Sequence, residues 1–210
     1  MKIYVVCLFV LLYSLSIRSQ TKVSMDEQYK MIKLIEQKAS SIKSLHCEFN
    51  QEKQLALLNH TLSSNGTMDF AQPDKLRWQY NSPYKYTFVI NGHHVMTKNE
   101  EHTNVIDASQ SKLFKEITQI MVNSLTGKCL TNNQDFTVEM FVDKEQWIAS
   151  LLPKKKALSS MFKLIKLYID PSQSFVNRVD LIENTNDVTK IYLLNSNVNS
   201  PIDEAIFNFD

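Results

Sequence analysis

Five histidines, three cysteines and 22 aspartates and glutamates are the groups in this 210-residue chain that could hold a metal, attack a carbonyl or relay a proton. Their spacing does not mark any of these uses. His93 and His94 are adjacent, so on a strand they point to opposite faces and are poorly placed to share a metal. His46, His60 and His102 are isolated, and no HExxH helix occurs. The carboxylates are scattered without a pattern that marks a general acid and base, although a pair formed in space is left open. The three glycines, Gly66, Gly92 and Gly127, are far apart. That excludes a Walker loop and a dinucleotide-binding fingerprint, and a nucleophile elbow with them. Lys and Arg number 23, for a formal charge of +1, so no basic excess exists to displace counterions from a nucleic acid. A binding protein without a cofactor is the expectation. The alternative class is a hydrolase of lipids or cell-wall material.

The residues whose spacing does carry a message are apolar, and they define the elements. Ser24-Met25-Asp26-Glu27 has the form of a capping box. Ile32, Ile35, Ala39 and Ile42 follow at three- and four-residue intervals, widened by Met31 and Leu34. This predicts an amphipathic helix of about 19 residues ending near Ser44. The period then becomes two: Leu45, Cys47 and Phe49; Met68 and Phe70; Leu76, Trp78 and Tyr80; Tyr86, Phe88 and Ile90. Asn91-Gly92 is the strongest hairpin signal. A second helix is predicted over about 111–125, with Leu113, Ile117, Ile120, Met121 and Ser124 on one face and a stop at Gly127. Strands return around Val138, Ile148, Leu167, Val179 and Ile191. Many short strands with two helices make a mainly β, α+β domain built on one antiparallel sheet, curled or closed, with the helices against its concave side.

Composition is that of an ordinary globular domain, 43% apolar and 21% charged. Eleven Phe, eight Tyr, two Trp and eight Met fall largely on the inward phase. Phe49, Met68, Phe70, Trp78, Phe88, Ile90 and Val138 are the candidate lining of a cavity, reached by Ile117 and Met121 from the second helix. A packed core is the commoner fate of such residues. A curved sheet too large for its own side chains to fill would instead hold a hydrophobic ligand.

Residues 1–19 read as a secretory signal peptide: Lys2, an apolar run from Ile3 to Leu15 broken only by Ser14, then Ser16, Arg18 and Ser19. The run is short for a bilayer of roughly 30 Å, which disfavours an uncleaved anchor. Cleavage after Ser19 would leave residues 20–210 as a single domain. Cys7 lies inside the run and no cysteine stands at the cleavage point, so a soluble exported protein is expected. Cys47 and Cys129 remain for pairing in an oxidising compartment, but Cys47 shares the alternation of Leu45 and Phe49 and reads as a small buried apolar residue. Lys154-Lys155-Lys156 is a solvated loop or a docking patch for an acidic partner or an anionic membrane. Asn59-His60-Thr61 and Asn65-Gly66-Thr67 are glycosylation sequons.

An ordered set of short motifs runs through the chain: Phe49-Asn50-Gln51; Ser64-Asn65-Gly66-Thr67-Met68-Asp69-Phe70; Pro73-Asp74-Lys75-Leu76-Arg77-Trp78; Asn91-Gly92; a strand ending at Pro153; Asp170-Pro171; Pro201-Ile202 before Phe207-Asn208-Phe209. This set resembles the periplasmic lipoprotein carrier family, LolA, over nearly all of residues 20–210. The resemblance implies an open, strongly curved antiparallel half-barrel with amphipathic helices as a lid over an apolar cavity. It implies a periplasmic monomer that takes acylated lipoprotein cargo from an inner-membrane ABC transporter to the outer membrane, where an acceptor receives it. Sister proteins of the same fold, namely an anchored acceptor, lipid-binding sensors and structural periplasmic modules, are the alternatives. The missing cysteine at the cleavage point argues against the anchored acceptor. Family members fasten the lid with an arginine before the first proline. Gln72 stands there in this chain, and its amide can bond a lid carbonyl. A lipid chain of roughly sixteen carbons costs on the order of 10 kcal/mol to expose to water, which is why such a cargo needs a carrier.

Overall fold

The computed structural model describes residues 20–58, 60–107, 128–131 and 134–209. The leader expected at 1–19 and the second helix expected at 111–125, with Ile117 and Met121, lie outside the described residues. Among those described, twelve strands form one antiparallel sheet that does not close on itself.

The sheet is two meanders fused side by side. The first runs through β2 (Ser44–Leu55), β3 (His60–Ala71), β4 (Lys75–Ser82), β5 (Tyr86–Asn91), β6 (His94–Lys98) and β7 (Thr103–Asp107). The second runs through β8 (Phe136–Asp143), β9 (Gln146–Pro153), β10 (Phe162–Asp170), β11 (Phe175–Glu183) and β12 (Val188–Val198). They meet where β12 pairs with β2, with Leu193 opposite Phe49. The two-residue strand β1 (Thr21–Lys22) adds to the far side of β8. Alternation places Leu45, Cys47 and Phe49 on the inner face of β2, all buried.

Helix α1 (Met25–Ser40) begins as its sequence dictates: the Glu27 amide donates to the Ser24 hydroxyl at 3.3 Å. Asp26 and Glu27 lie at its positive end and Lys38 at its negative end. Met31, Ile35 and Ala39 are buried, the first two against Met140, Ala149, Leu151 and Ile165 of the second meander. The helix stops four residues earlier than its periodicity suggests. The Ser41 amide and hydroxyl both bond back to the Lys38 carbonyl. Ile42 belongs to a different cluster, with Leu45, Phe70 and Leu76, and the chain must leave the helix to deliver it there.

Gln28 extends the pairing of short β1 along the edge of β8. Its side-chain amide donates to the Val138 carbonyl at 3.2 Å and accepts from the Met140 amide at 3.1 Å. On the outer face, Phe207 from a C-terminal 3₁₀ turn (Glu204–Phe207) covers Ala71, Val89 and Met96. The predicted hairpin closes through Gly92, which takes φ +59°, with Asn91 paired to His94; glycine adopts that φ at no steric cost. Cys47 and Cys129 are both buried, in different clusters.

Candidate apolar cavity

Where the two meanders face each other across the concave side, Phe175 and Leu193 pack into the core of the first meander, but the remaining facing side chains leave a gap. The space between is a cavity of about 410 Å³. One wall is the first meander: Met68 from β3, Leu76, Trp78 and Tyr80 from β4, and Tyr86 and Phe88 from β5. The other is the second meander: Ile165 from β10, Val176, Val179 and Leu181 from β11, and Ile191 and Leu193 from β12. Phe162 and Leu158, the latter from the one-turn helix α2 (Lys156–Ser159), complete that wall. The curvature that opens this gap is the twist accumulated over many strands.

Four polar groups interrupt the lining: the side chains of Gln51 and Thr189 and the hydroxyls of Tyr80 and Tyr86. Tyr80 Oη donates to Gln51 Oε1 at 3.0 Å. Burial raises the Tyr80 phenol above its ordinary value, so it stays neutral in this site. Gln51 keeps its amide N–H groups for a further acceptor. The first wall is stiffened by an aromatic cluster. The Phe49 ring lies 4.3 Å from that of Trp78 and meets Tyr80 edge-on at 5.2 Å.

The residues singled out from the sequence take three positions. Met68, Trp78 and Phe88 line the cavity. Phe49, Phe70 and Ile90 share the same face but are fully buried behind the lining, packed with Ile42, Leu45 and Val95. Val138 packs into the cluster under α1. Gln72 stands at the turn after β3. Its backbone amide donates to the Lys43 carbonyl at 2.8 Å. Its side-chain Nε2 lies 3.5 Å from the Ser40 carbonyl at the last turn of α1. The second wall was not among the candidates. Ile165, Val179, Leu181 and Ile191 read as strand residues from the sequence, but only the non-local pairing of β12 with β2 turns them toward Trp78.

Chemistry beyond apolar contact has little to work with in this site. No group of three or more metal-ligating side chains occurs among the described residues. The buried Cys47 thiol is pushed up to about 12, chiefly by its burial and then by the nearby Asp69 carboxylate, and so is held protonated. No helix among the described residues is long and apolar enough to cross a membrane.

The family model of the outer membrane lipoprotein carrier protein LolA matches residues 40–210. The chain belongs to the LolA family. It is 19% identical over 175 residues to an outer-membrane lipoprotein carrier protein of Pseudoalteromonas translucida, covering 83% of this chain and 80% of that one. Among solved structures, an uncharacterised conserved protein of Thermus thermophilus shares the fold, with a TM-score of 0.51 and 10% identity over 86% of this chain and 92% of that one. A LolA superfamily protein of Nitrosomonas europaea is similar at a TM-score of 0.47 and 9% identity, over 84% and 97% of the two chains. The matched segment contains both cavity walls. The LolA-family sheet here is open, as the ordered motifs imply, with β1 and β7 at its edges.

Proposed function

We propose that this chain is a periplasmic carrier that holds the acyl chains of lipoproteins in its cavity and moves them from the inner to the outer membrane. The observation that carries the reading is an apolar cavity of about 410 Å³ within a LolA-family sheet. That volume falls in the range of roughly 300–1,000 Å³ used for small-molecule ligands. In this reading the protein is exported by its leader, acts as a soluble monomer and catalyses no reaction. It receives cargo from an inner-membrane ABC transporter and passes it to an outer-membrane acceptor. Binding rests on apolar burial, at about 0.8 kcal/mol per methylene, and release needs a change of shape or a partner.

The test is extraction. The purified chain is incubated with membranes that hold the transporter and an acylated lipoprotein, with ATP. The expected result is acylated protein released into solution in complex with this chain. If none is ever released, the carrier reading fails and a lipid sensor or structural module of the same fold takes its place.

A further inference from the structure

The strands do not end level. β2 and β3 stay paired out to Leu55 and His60, whereas β3 and β4 part beyond Asn65 and Ser82. The β2–β3 hairpin therefore stands as an arm roughly 17 Å past the end of β4, from the rise per strand residue. On its other side the arm is held firmly. β12 pairs with β2 as far as Gln54, Asp187 Oδ1 accepts from the Ala56 amide at 2.9 Å, and Lys53 pairs with Glu183 at 2.8 Å.

The tip of this supported arm is apolar. Leu57 is 95% exposed and Leu58 71%. Leu62 is also exposed, on the face of the sheet that carries the cavity. Tyr84, 81% exposed, stands in the neighbouring β4–β5 turn. Exposed Met161 joins them through the β11–β12 turn, where the Asn184 amide donates to the Met161 carbonyl. Tyr86 both lines the cavity and is 39% exposed, so the cavity opens at this same end. Lys85, next to Tyr84, and Lys156 and Lys163, on either side of Met161 in the sequence, are exposed, while Glu183 and Asp135 are engaged by Lys53 and Lys155. Exposed apolar residues along one end of the sheet, on the arm and on the neighbouring turns, with exposed lysines on the same edge, mark an interaction surface.

We propose that this end is a membrane-docking surface: Leu57 and Leu58 enter the interfacial layer of an anionic bilayer, and Lys85, Lys156 and Lys163 meet its phosphates. The charge of the lysines selects a lipid surface with anionic headgroups, and the rigid arm sets the depth. The purpose of docking rests on the acyl-chain reading of the cavity: with the mouth on the bilayer, a chain passes between the two without crossing water.

The test uses the mature chain and vesicles of phosphatidylethanolamine with phosphatidylglycerol, compared with phosphatidylcholine alone. The wild type is expected to float with the anionic vesicles. Leu57→Asp with Leu58→Asp should float at least about tenfold less, since two leucines lose their burial. Lys85→Glu, Lys156→Glu and Lys163→Glu together should lose the preference for anionic over neutral vesicles. Binding of a soluble lipopeptide, followed by Trp78 fluorescence, is measured on the same variants. It should be unchanged, which separates failure of docking from failure of the cavity reading. A wild type that floats with neither vesicle, or a leucine pair whose loss changes nothing, overturns the proposal. So does a dimer in sedimentation that the leucine variant abolishes without any vesicle binding, which would assign the tip to a second copy of the chain.

Discussion

Phe49 on β2 lies directly opposite Gly66 on β3, and its ring fills the space in which a side chain at residue 66 would begin. A Cβ placed there would stand 2.7 Å from Phe49 Cζ and would overlap the Gln79 carbonyl across the β3–β4 irregularity. The aromatic wall of the cavity is thus stacked on a position with no side chain.

Gly66→Ala is accordingly expected to cost about 1–3 kcal/mol or more, because neither the ring nor the β4 backbone has room to give. Urea denaturation measures it. An alanine variant as stable as the wild type would show that Phe49 can move away at no cost.

Filling the cavity should separate binding from stability. Val179→Phe with Leu181→Phe adds bulk where the walls do not touch. Folding stability should change by less than about 1.5 kcal/mol, while affinity for an acylated peptide falls about tenfold or more. Trp78 fluorescence in a Trp147→Phe background reports the titration.

Gln51→Leu replaces the amide that Tyr80 bonds within the lining. Stability should fall by about 0.5–1.5 kcal/mol for a neutral hydrogen bond. Discrimination between an acyl ester and a plain hydrocarbon of equal length should also fall, because the free amide N–H groups are lost. Competition against a bound fluorescent lipid measures both ligands. By the same scale, Gln72→Ala should change stability and cargo release by less than about 1 kcal/mol, given the long contact to Ser40.

Alkaline pH should destabilise the fold. The Cys47 thiol is raised from 9.0 to about 12, mainly by burial. Burial first, then the Asp180 carboxylate, raises the Tyr168 phenol from 10.0 to about 12. In the unfolded chain both groups ionise at lower pH, so the unfolded state releases protons that the folded state keeps. Stability is therefore fully present below about pH 9 and declines as pH rises from there toward 12. Denaturation curves across this range check the sign. Cys47→Ala should remove the part that begins near pH 9.

Arg178 grips Asp180 with Nε at 2.7 Å and Nη2 at 2.6 Å, its guanidinium stacked 4.3 Å from the Tyr168 ring centroid. Arg178→Met leaves a buried carboxylate with only the Tyr168 hydroxyl, at a cost of about 1–3 kcal/mol. Arg178→Met with Asp180→Leu should recover most of it, because no buried charge is then left unpaired. Equal losses in the single and double variants would refute this account.

Much of the architecture was legible because alternation is a local signal. Leu76, Trp78 and Tyr80 announce a strand and the face it buries. Ser24 and the Ile32 to Ala39 spacing announce α1. What alternation does not carry is depth along a strand. Phe49, Phe70 and Trp78 share one face, yet Trp78 reaches the cavity while the other two lie behind the lining. Nor does it carry strand order. Val179, Leu181 and Ile191 look like any other inward residues until β12 is placed beside β2. The arm was missed for a related reason. Residues 56–64 show no clean alternation, because they extend past the core that would impose one.

The pairing of β12 with β2 also dictates how this chain must come to be. Phe49 and Leu193 belong to opposite ends of the polypeptide, so their seam is among the contacts of longest sequence separation and carries a large loop-closure cost. Until it forms, each meander exposes half of a greasy cleft to water, the kind of surface that draws unfinished proteins into aggregates. A protein read as shielding the lipids of others is, during its own birth, in need of the same shelter. A ribosomal stop before Val188 would yield no smaller version of it, only two meanders without the strand that joins them.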